Sequence, residues 1–143
     1  CQPPGLPIVT TPFDDPQAEL AWMFLQNLSE DGDLDEGFAL LADDFTYWSN
    51  TIMRTCDKTE LRQIAEQLRQ LVRLDFDLIS CTNEGENVVI EAQPDGVTEA
   101  GVRYNTPTVF IFETRDGQIT ALREYGDTRL VEKAFGSVLG RRP

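Results

Sequence analysis

Apolar residues recur at helical spacing after three capping signals in this chain. Asp15-Pro16 is a cap followed by a proline at the first helical position, Asp57 and Glu60 have the spacing of a capping box, and Asp127 precedes an amphipathic stretch. The pattern therefore predicts three helices. The apolar positions after the first two caps are Ala18, Ala21, Trp22, Leu25, Leu28 and Leu61, Ile64, Leu68, Leu71.

After the second of these helices the pattern changes to period two, which is typical of strands. Turn residues separate four such runs, at 76–81, 88–93, 106–114 and 118–125. Consecutive strands that are joined by turns predict an antiparallel meander. Two more elements are predicted before this meander, a short helix from Asp33 to about Leu41 and a strand over 45–50.

The order of these elements indicates the fold class. Helices come first and strands follow without alternation, which predicts an α+β fold with N-terminal helices packed on one side of a strongly curved antiparallel sheet. Residues 1–14 hold four of the eight prolines and have no periodicity, so we expect an extended arm there. A single domain is expected over residues 15–143.

Composition narrows the range of partners. The formal net charge is -13, and the twelve Lys and Arg residues are scattered, so nucleic acid is a poor partner. No apolar run approaches the roughly 18 residues of a membrane span. Cys1, Cys56 and Cys81 have no metal-ligand spacing, which favours reduced thiols in a cytoplasmic protein. The alternative is a lipid-anchored or exported protein, because Cys1-Gln-Pro-Pro-Gly resembles the start of a processed lipoprotein.

The acidic stretch Asp31-x-Asp33-x-Asp35 has the spacing of the first half of a calcium loop. Glu36 occupies the position where that loop needs glycine, and Ala42 the position of its bidentate glutamate. We interpret the stretch as a solvated turn. Nothing else in the chain has the pattern of a metal, nucleotide or flavin site, so we expect chemistry without a cofactor.

The strongest candidate for chemistry is Glu124, which lies in the last predicted strand. The chain has no histidine, and a carboxylate in apolar surroundings acquires a pKa closer to neutral pH. Glu91 on a neighbouring strand could point into the same space as Glu124. The pKa values of two such close carboxyls move apart, so that one is protonated while the other is ionised. The alternative is a surface Glu124 that is paired with Arg103 or Arg115.

Aromatic and polar residues on the same strands are candidates for a binding pocket. Aromatic side chains could select a hydrophobic, ring-containing ligand, although such residues also form ordinary cores. Tyr104-Asn105 could present a hydroxyl and an amide at the pocket mouth, or could simply begin a strand. The candidate substrate-binding residues are Trp22, Trp48, Ser49, Asn50, Tyr104, Phe110 and Leu122, and Phe112 is a further candidate for the pocket wall.

Two local motifs and the element order resemble the SnoaL-like branch of the nuclear transport factor 2-like superfamily. The motifs are Gly-Asp-Leu-Asp at 32–35, followed by Phe-Ala-Leu-Leu-Ala-Asp-Asp at 38–44, and Asp-Gly-Gln-Ile at 116–119, leading into Arg-Glu-Tyr-Gly-Asp at 123–127. The resemblance spans residues 15–136. It implies a cone-shaped sheet and a relationship to polyketide cyclases, limonene epoxide hydrolases and ketosteroid isomerases.

The resemblance also suggests roles for individual residues. Glu124 occupies the place of an acid/base aspartate, and Tyr47 that of a tyrosine that positions water in the epoxide hydrolases. Glu91 or Gln93 falls near their second acid, but Val89 or Glu91 stands where they have an arginine two residues before it. The position of the ketosteroid isomerase base is Ser49 here, which argues against that activity.

The sequence therefore predicts an enzyme that binds a small apolar molecule and uses Glu124, with Glu91 and Tyr47 assisting, for isomerisation, elimination or cyclisation. Epoxide opening is the second choice, and the resemblance implies a homodimer. The competing prediction is a non-catalytic ligand-binding or association domain, which would suit a lipoprotein. An enzyme should hold Glu124 in a closed pocket beside a second polar group.

Overall fold

The computed structural model describes residues 14–139, so Cys1 and nearly all of the predicted arm lie outside the described residues. The domain division at residue 15 stays a prediction. The described part contains the predicted helices and strands in the predicted order, together with two short strands, β2 and β5, that were not predicted. They are α1 (Pro16–Leu28), α2 (Leu34–Ala39), β1 (Leu41–Ser49), β2 (Thr55–Asp57), α3 (Lys58–Leu71), β3 (Asp75–Glu84), β4 (Asn87–Val97), β5 (Arg103–Tyr104), β6 (Thr108–Arg115), β7 (Gln118–Tyr125) and α4 (Thr128–Leu139).

The helices begin at the predicted caps. The Asp15 side chain accepts hydrogen bonds from two backbone N–H groups of α1 at 2.9 and 3.0 Å. Asp57 and Glu60 exchange the two bonds of a capping box, at 2.8 and 3.1 Å. The Asp127 side chain accepts two backbone bonds at the start of α4. The short helix α2 ends at Ala39, before the predicted Leu41, because Leu41 is buried and already pairs with β7.

The strands between residues 14 and 139 form one sheet of seven, in the order β2-β1-β7-β6-β4-β3, with β5 paired to β4. Strands β3, β4, β6 and β7 are the predicted antiparallel meander. The β6–β7 hairpin turns at Asp116 and Gly117, whose φ angles of 53° and 78° are those of a primed turn. The sheet is not antiparallel throughout, because β1 lies parallel to β7.

The α+β class and its curved, cone-like sheet are confirmed. Register shifts interrupt β1, β3 and the β6–β7 pair, and such bulges bend and twist a sheet. The inner face packs on α1, whose Phe24 and Leu25 are fully buried beside Phe112 and Ile90. A second cluster joins α3, α4 and β5 through Val72, Tyr104, Val131 and Phe135. The helices thus cover the inner face and leave a space between them.

Candidate active site

A cavity of about 400 Å³ lies between the inner face of the sheet and helices α1, α3 and α4. Its size is in the range of roughly 300–1,000 Å³ that is typical of small-molecule sites. Most of its wall is apolar. The wall includes Phe24 and Leu28 from α1, Leu61, Ile64 and Leu68 from α3, Val131 and Phe135 from α4, and Phe76, Phe110 and Leu122 from the sheet.

Glu124 lines this cavity from β7, on the same face as Leu122. Its carboxylate Oε1 accepts a hydrogen bond of 2.9 Å from the hydroxyl of Tyr47 on β1. The parallel register sets this contact, since Tyr47 lies opposite Leu122 and Ser49 lies opposite Glu124. Phe110 lies opposite Glu124 on the other side, so an aromatic ring borders the carboxyl there. The site is thus an acid held between an aromatic hydroxyl and an aromatic ring.

The pKa of Glu124 is raised above its ordinary value of 4.5, because burial penalises the charged carboxylate. The hydrogen bond from Tyr47 acts in the opposite direction and lowers that pKa. The surface alternative is wrong, since Arg103 pairs with Asp95 at 3.1 Å and Arg115 with Asp44 at 3.4 Å. A carboxyl with a raised pKa is suited to accepting and returning a proton near neutral pH.

Two tyrosine hydroxyls face the same part of the cavity. Burial raises the pKa of Tyr47 well above its usual range, and the negative charge of Glu124 raises it further. Burial and the Glu124 charge also raise the pKa of Tyr104, which a hydrogen bond with Thr108 partly offsets. Both hydroxyls therefore stay protonated and act as hydrogen-bond donors at neutral pH.

Glu91 does not share the cavity with Glu124, contrary to the sequence-based expectation. Ile90 lies opposite Phe110 and faces inward, so Glu91, one residue later, projects from the other face of β4. There it accepts a hydrogen bond of 3.1 Å from Ser80. Gln93, on the outer face as well, donates to a backbone oxygen at 2.8 Å. Neither residue is the expected second acid.

The two tryptophans also lie away from the cavity wall. Trp48 follows Tyr47 directly on β1, and neighbouring residues of a strand point to opposite faces of the sheet. Trp48 therefore lies on the outer face, where its ring centroid is 5.3 Å from that of Tyr125. Trp22 is buried in the main core. Of the α1 residues, Phe24 and Leu28, one helical turn apart, reach the cavity instead.

Asn50 has a structural position rather than a place in the cavity wall. Its side-chain amide donates to the backbone oxygen of Gly126 at 3.1 Å, and its amide oxygen accepts from the backbone N–H of Gly126 at 3.2 Å. It thereby ties the end of β1 to the end of β7. Ser49 does line the cavity, and its hydroxyl also accepts backbone bonds from Thr51 and Ile52.

Sequence reasoning missed several wall residues. Thr108 and Pro94 line the cavity but carry no motif. The stripe on α3 and the apolar edge of α4 were visible as periodic patterns, but periodicity shows only that a face is buried, not that it borders a cavity. Glu30, Asp31, Arg69 and Arg73 form a polar part of the wall and were also missed. Within residues 14–139, no cluster of three or more Cys, Asp or Glu side chains is arranged to hold a metal ion.

The residues of the acidic stretch are engaged in other ways. Asp33 caps α2 by accepting backbone bonds, and Asp35 pairs with Arg62 at 2.8 Å. Of the helices that the structure describes, none combines the length and apolar composition needed to cross a bilayer.

A curved sheet that encloses an apolar cavity with a single inward carboxyl on its last long strand defines a cone of the nuclear transport factor 2-like type. Residues 23–122 match the SnoaL-like domain, and the chain belongs to this family. A curated relative is the uncharacterized protein YesE of Bacillus subtilis, which is 39% identical over 54 residues. That match spans 37% of this chain and 37% of the relative.

Solved structures show the same fold over most of the chain. One is a hypothetical protein with a ketosteroid isomerase-like fold from Catenulispora acidiphila, in complex with trimethylamine, with a TM-score of 0.71, 18% identity and coverage of 87% of this chain and 98% of that one. Another is an LEH-like epoxide hydrolase from M. tuberculosis, with a TM-score of 0.70, 21% identity and coverage of 87% and 92%. At these identities the likeness shows the fold alone.

Proposed function

We propose that this protein is an enzyme that moves a proton on a hydrophobic, ring-containing substrate in the cavity, with Glu124 as the acid/base residue and no cofactor. The observation that carries this proposal is the 2.9 Å hydrogen bond between Tyr47 and Glu124 inside an apolar cavity. Proteins named for isomerase, polyketide cyclase and epoxide hydrolase activities have the same fold. These different activities on one fold support chemistry on a small molecule. The particular reaction has to be argued from the residues of the site.

The proposed chemistry is a proton shuttle at one carboxyl. Ionised Glu124 accepts a proton from a substrate C–H or O–H bond, and Tyr47 holds the carboxylate in position through its hydrogen bond. The electron pair of the broken bond moves into a new double bond or onto a substrate oxygen. The Tyr104 hydroxyl can donate a hydrogen bond to that oxygen.

The second half of the reaction returns the proton from Glu124. Delivery to another atom of the same molecule gives an isomerisation, and delivery to a leaving group, as its bond to carbon breaks, gives an elimination. In a cyclisation the electron pair left on carbon forms the new ring bond to a carbonyl carbon of the same molecule, and the oxygen of that carbonyl takes the proton from Glu124. In each case Glu124 finishes ionised, ready for the next turnover. The raised pKa of Glu124 supports this cycle, because the carboxyl holds a proton more readily than an ordinary glutamate does.

Epoxide opening is a weaker candidate. That reaction uses one acid to protonate the epoxide oxygen and a second carboxylate to activate water, with an arginine between them. Val89 and Glu91, the two residues that could stand at the arginine position, both project from the outer face of the sheet, and neither is an arginine. The single inward carboxyl of the sheet therefore favours proton transfer within one substrate.

The competing function is a ligand carrier or an association module. A carrier would have apolar walls around its ligand, and an association module would have a filled core. A hydrogen-bonded pair, Tyr47 and Glu124, in a mostly apolar cavity supports the enzyme instead. A homodimer through the outer sheet face, where Val89 and Tyr125 are exposed, is a further part of the proposal. A cytoplasmic location is another.

The test is turnover of a panel of ring-containing ketones, enones and lactones by wild type, Glu124→Gln and Glu91→Gln. Both variants remove one negative charge from the same sheet, but only the first removes it from the cavity. We expect Glu124→Gln to lower kcat/KM at least about a hundredfold, the usual scale of a general base, with Glu91→Gln unchanged. Equal turnover by Glu124→Gln and wild type would rule out the proton-transfer role.

A further inference from the structure

Glu124 has no cationic partner within residues 14–139. The nearby arginine on its own strand, Arg123, projects from the other face and pairs with Glu113. Carboxylate Oε1 accepts only the neutral Tyr47 hydroxyl, and Oε2 makes no hydrogen bond to the described residues, although it is not sealed in the interior. An ionised Glu124 is therefore an uncompensated charge with one oxygen open to the cavity, and such a charge attracts a cation.

The two arginines of the cavity wall are already engaged. Arg69 donates to three backbone oxygens, one in the last turn of α1 at 3.0 Å and two in the loop after it at 2.7 and 2.8 Å. Arg73 pairs with Glu30 at 3.0 Å. Asp31, which also lines the cavity, forms no ion pair with the described residues. Along the cavity wall, acidic side chains outnumber basic ones. The whole chain also has a formal net charge of -13, so both the cavity and its surroundings favour a positively charged ligand.

Aromatic rings surround the open carboxylate. Tyr47 contacts it, Phe110 lies directly opposite it on β6, and Tyr104 is close enough for the Glu124 charge to raise its pKa. The faces of aromatic rings attract cations because of their quadrupole, and this attraction is strongest where water is excluded. A carboxylate among aromatic rings is a favourable site for a positively charged nitrogen.

We propose that the cavity selects ring-containing ligands that carry a positively charged nitrogen, bound between Glu124 and the rings of Tyr47, Tyr104 and Phe110. This inference rests on the proposed function, in that it assigns a substrate class to the same cavity. It also strengthens the chemistry, because a positive nitrogen makes a neighbouring C–H bond more acidic. The ring of the ligand packs on the apolar wall while the nitrogen faces the carboxylate.

The experiment compares two ligands of the same shape, 4-(hydroxymethyl)-N,N,N-trimethylanilinium and its neutral counterpart (4-tert-butylphenyl)methanol. Their dissociation constants are measured by NMR titration of the 15N-labelled protein at pH 8. We expect wild type to bind the cation at least about tenfold more tightly, which corresponds to about 1.4 kcal/mol. Shift changes should occur at cavity residues.

Glu124→Gln and Glu91→Gln provide the matched pair of variants, since each removes one negative charge from the chain. The preference for the cation should fall to about twofold or less in Glu124→Gln and persist in Glu91→Gln. Equal affinity of wild type for the two ligands, failure of both to bind in the cavity, or a preference that survives in Glu124→Gln would each overturn the inference. The proposed function has its own test. If wild type turns over a neutral substrate and Glu124→Gln does not, the proposed function stands even when the inference about cations fails.

Discussion

The hydroxyl of Tyr47 donates a 2.9 Å hydrogen bond to Glu124, a residue 77 positions later in the chain. This contact joins the parallel strands β1 and β7 on their inner face. The bond lowers the pKa of Glu124, while burial raises it. Tyr47 thus moderates the basicity of the carboxyl and fixes its orientation toward the cavity.

Replacement of Tyr47 by phenylalanine should raise the pKa of Glu124 further, because the interaction that lowers it is lost. A higher pKa makes the ionised base rarer at every pH below the wild-type pKa. We therefore expect the ascending limb of the kcat/KM profile against pH to move to higher pH. Tyr125→Phe, on the outer face, is the control and should keep the wild-type profile. An unmoved profile in Tyr47→Phe would contradict the assigned role.

The raised pKa of Glu124 predicts a pH-dependent stability. In the unfolded chain the group titrates near 4.5, so above that pH the folded protein holds a proton that the unfolded chain has released. The stability of wild type relative to Glu124→Gln should therefore fall as pH rises from about 4.5 and level off above the raised folded-state pKa. The size of the loss reports how far the pKa of Glu124 in the folded protein lies above its value in the unfolded chain.

Urea unfolding of both proteins between pH 4 and 8 measures this difference. Carboxyls shared by the two chains, such as Asp15 and Glu60 with lowered pKa values, cancel in the comparison. The difference in the free energy of unfolding between wild type and Glu124→Gln could instead stay constant with pH, or shift in favour of wild type as pH rises. Either result would show that the charge of Glu124 does not destabilise the folded protein.

Asn50→Ala should reduce stability rather than abolish binding. The change removes both hydrogen bonds to the Gly126 backbone at the junction of β7 and α4. The free energy of unfolding should fall by about 1–3 kcal/mol, while ligand affinity of the folded protein is kept. Asn105→Ala, at an exposed position, should change stability by less than about 0.5 kcal/mol. Full stability with lost affinity in Asn50→Ala would mean that Asn50 contacts the ligand.

Local signals predicted most of the fold. The caps at Asp15, Asp57 and Asp127 and the Asp116-Gly117 turn depend on residues within a few positions of one another, so sequence alone identifies them. The bounds of β7 coincide with the predicted 118–125. The parallel pairing of β1 with β7 was not predictable, because it is a contact between distant segments that leaves no local pattern.

The site was harder to predict, because the sequence does not show which side chains of β4 and β1 point toward the cavity. Val89 interrupts the alternation around Ile90, so the pattern does not show that Glu91 faces outward. Tyr47 and Trp48 are adjacent aromatic residues, and either could have faced inward. Only the pairing of β1 with β7 brings Tyr47 to the cavity and places Trp48 outside.

The most direct test of the account is the titration of Glu124 itself, followed by NMR of the side-chain carboxyl carbon in 13C-glutamate-labelled protein, with Glu124→Gln to assign the signal. The account predicts a midpoint clearly above 4.5 in wild type, and a further rise in Tyr47→Phe. A midpoint at or below 4.5 would contradict it, because the carboxyl would then behave as a solvated group.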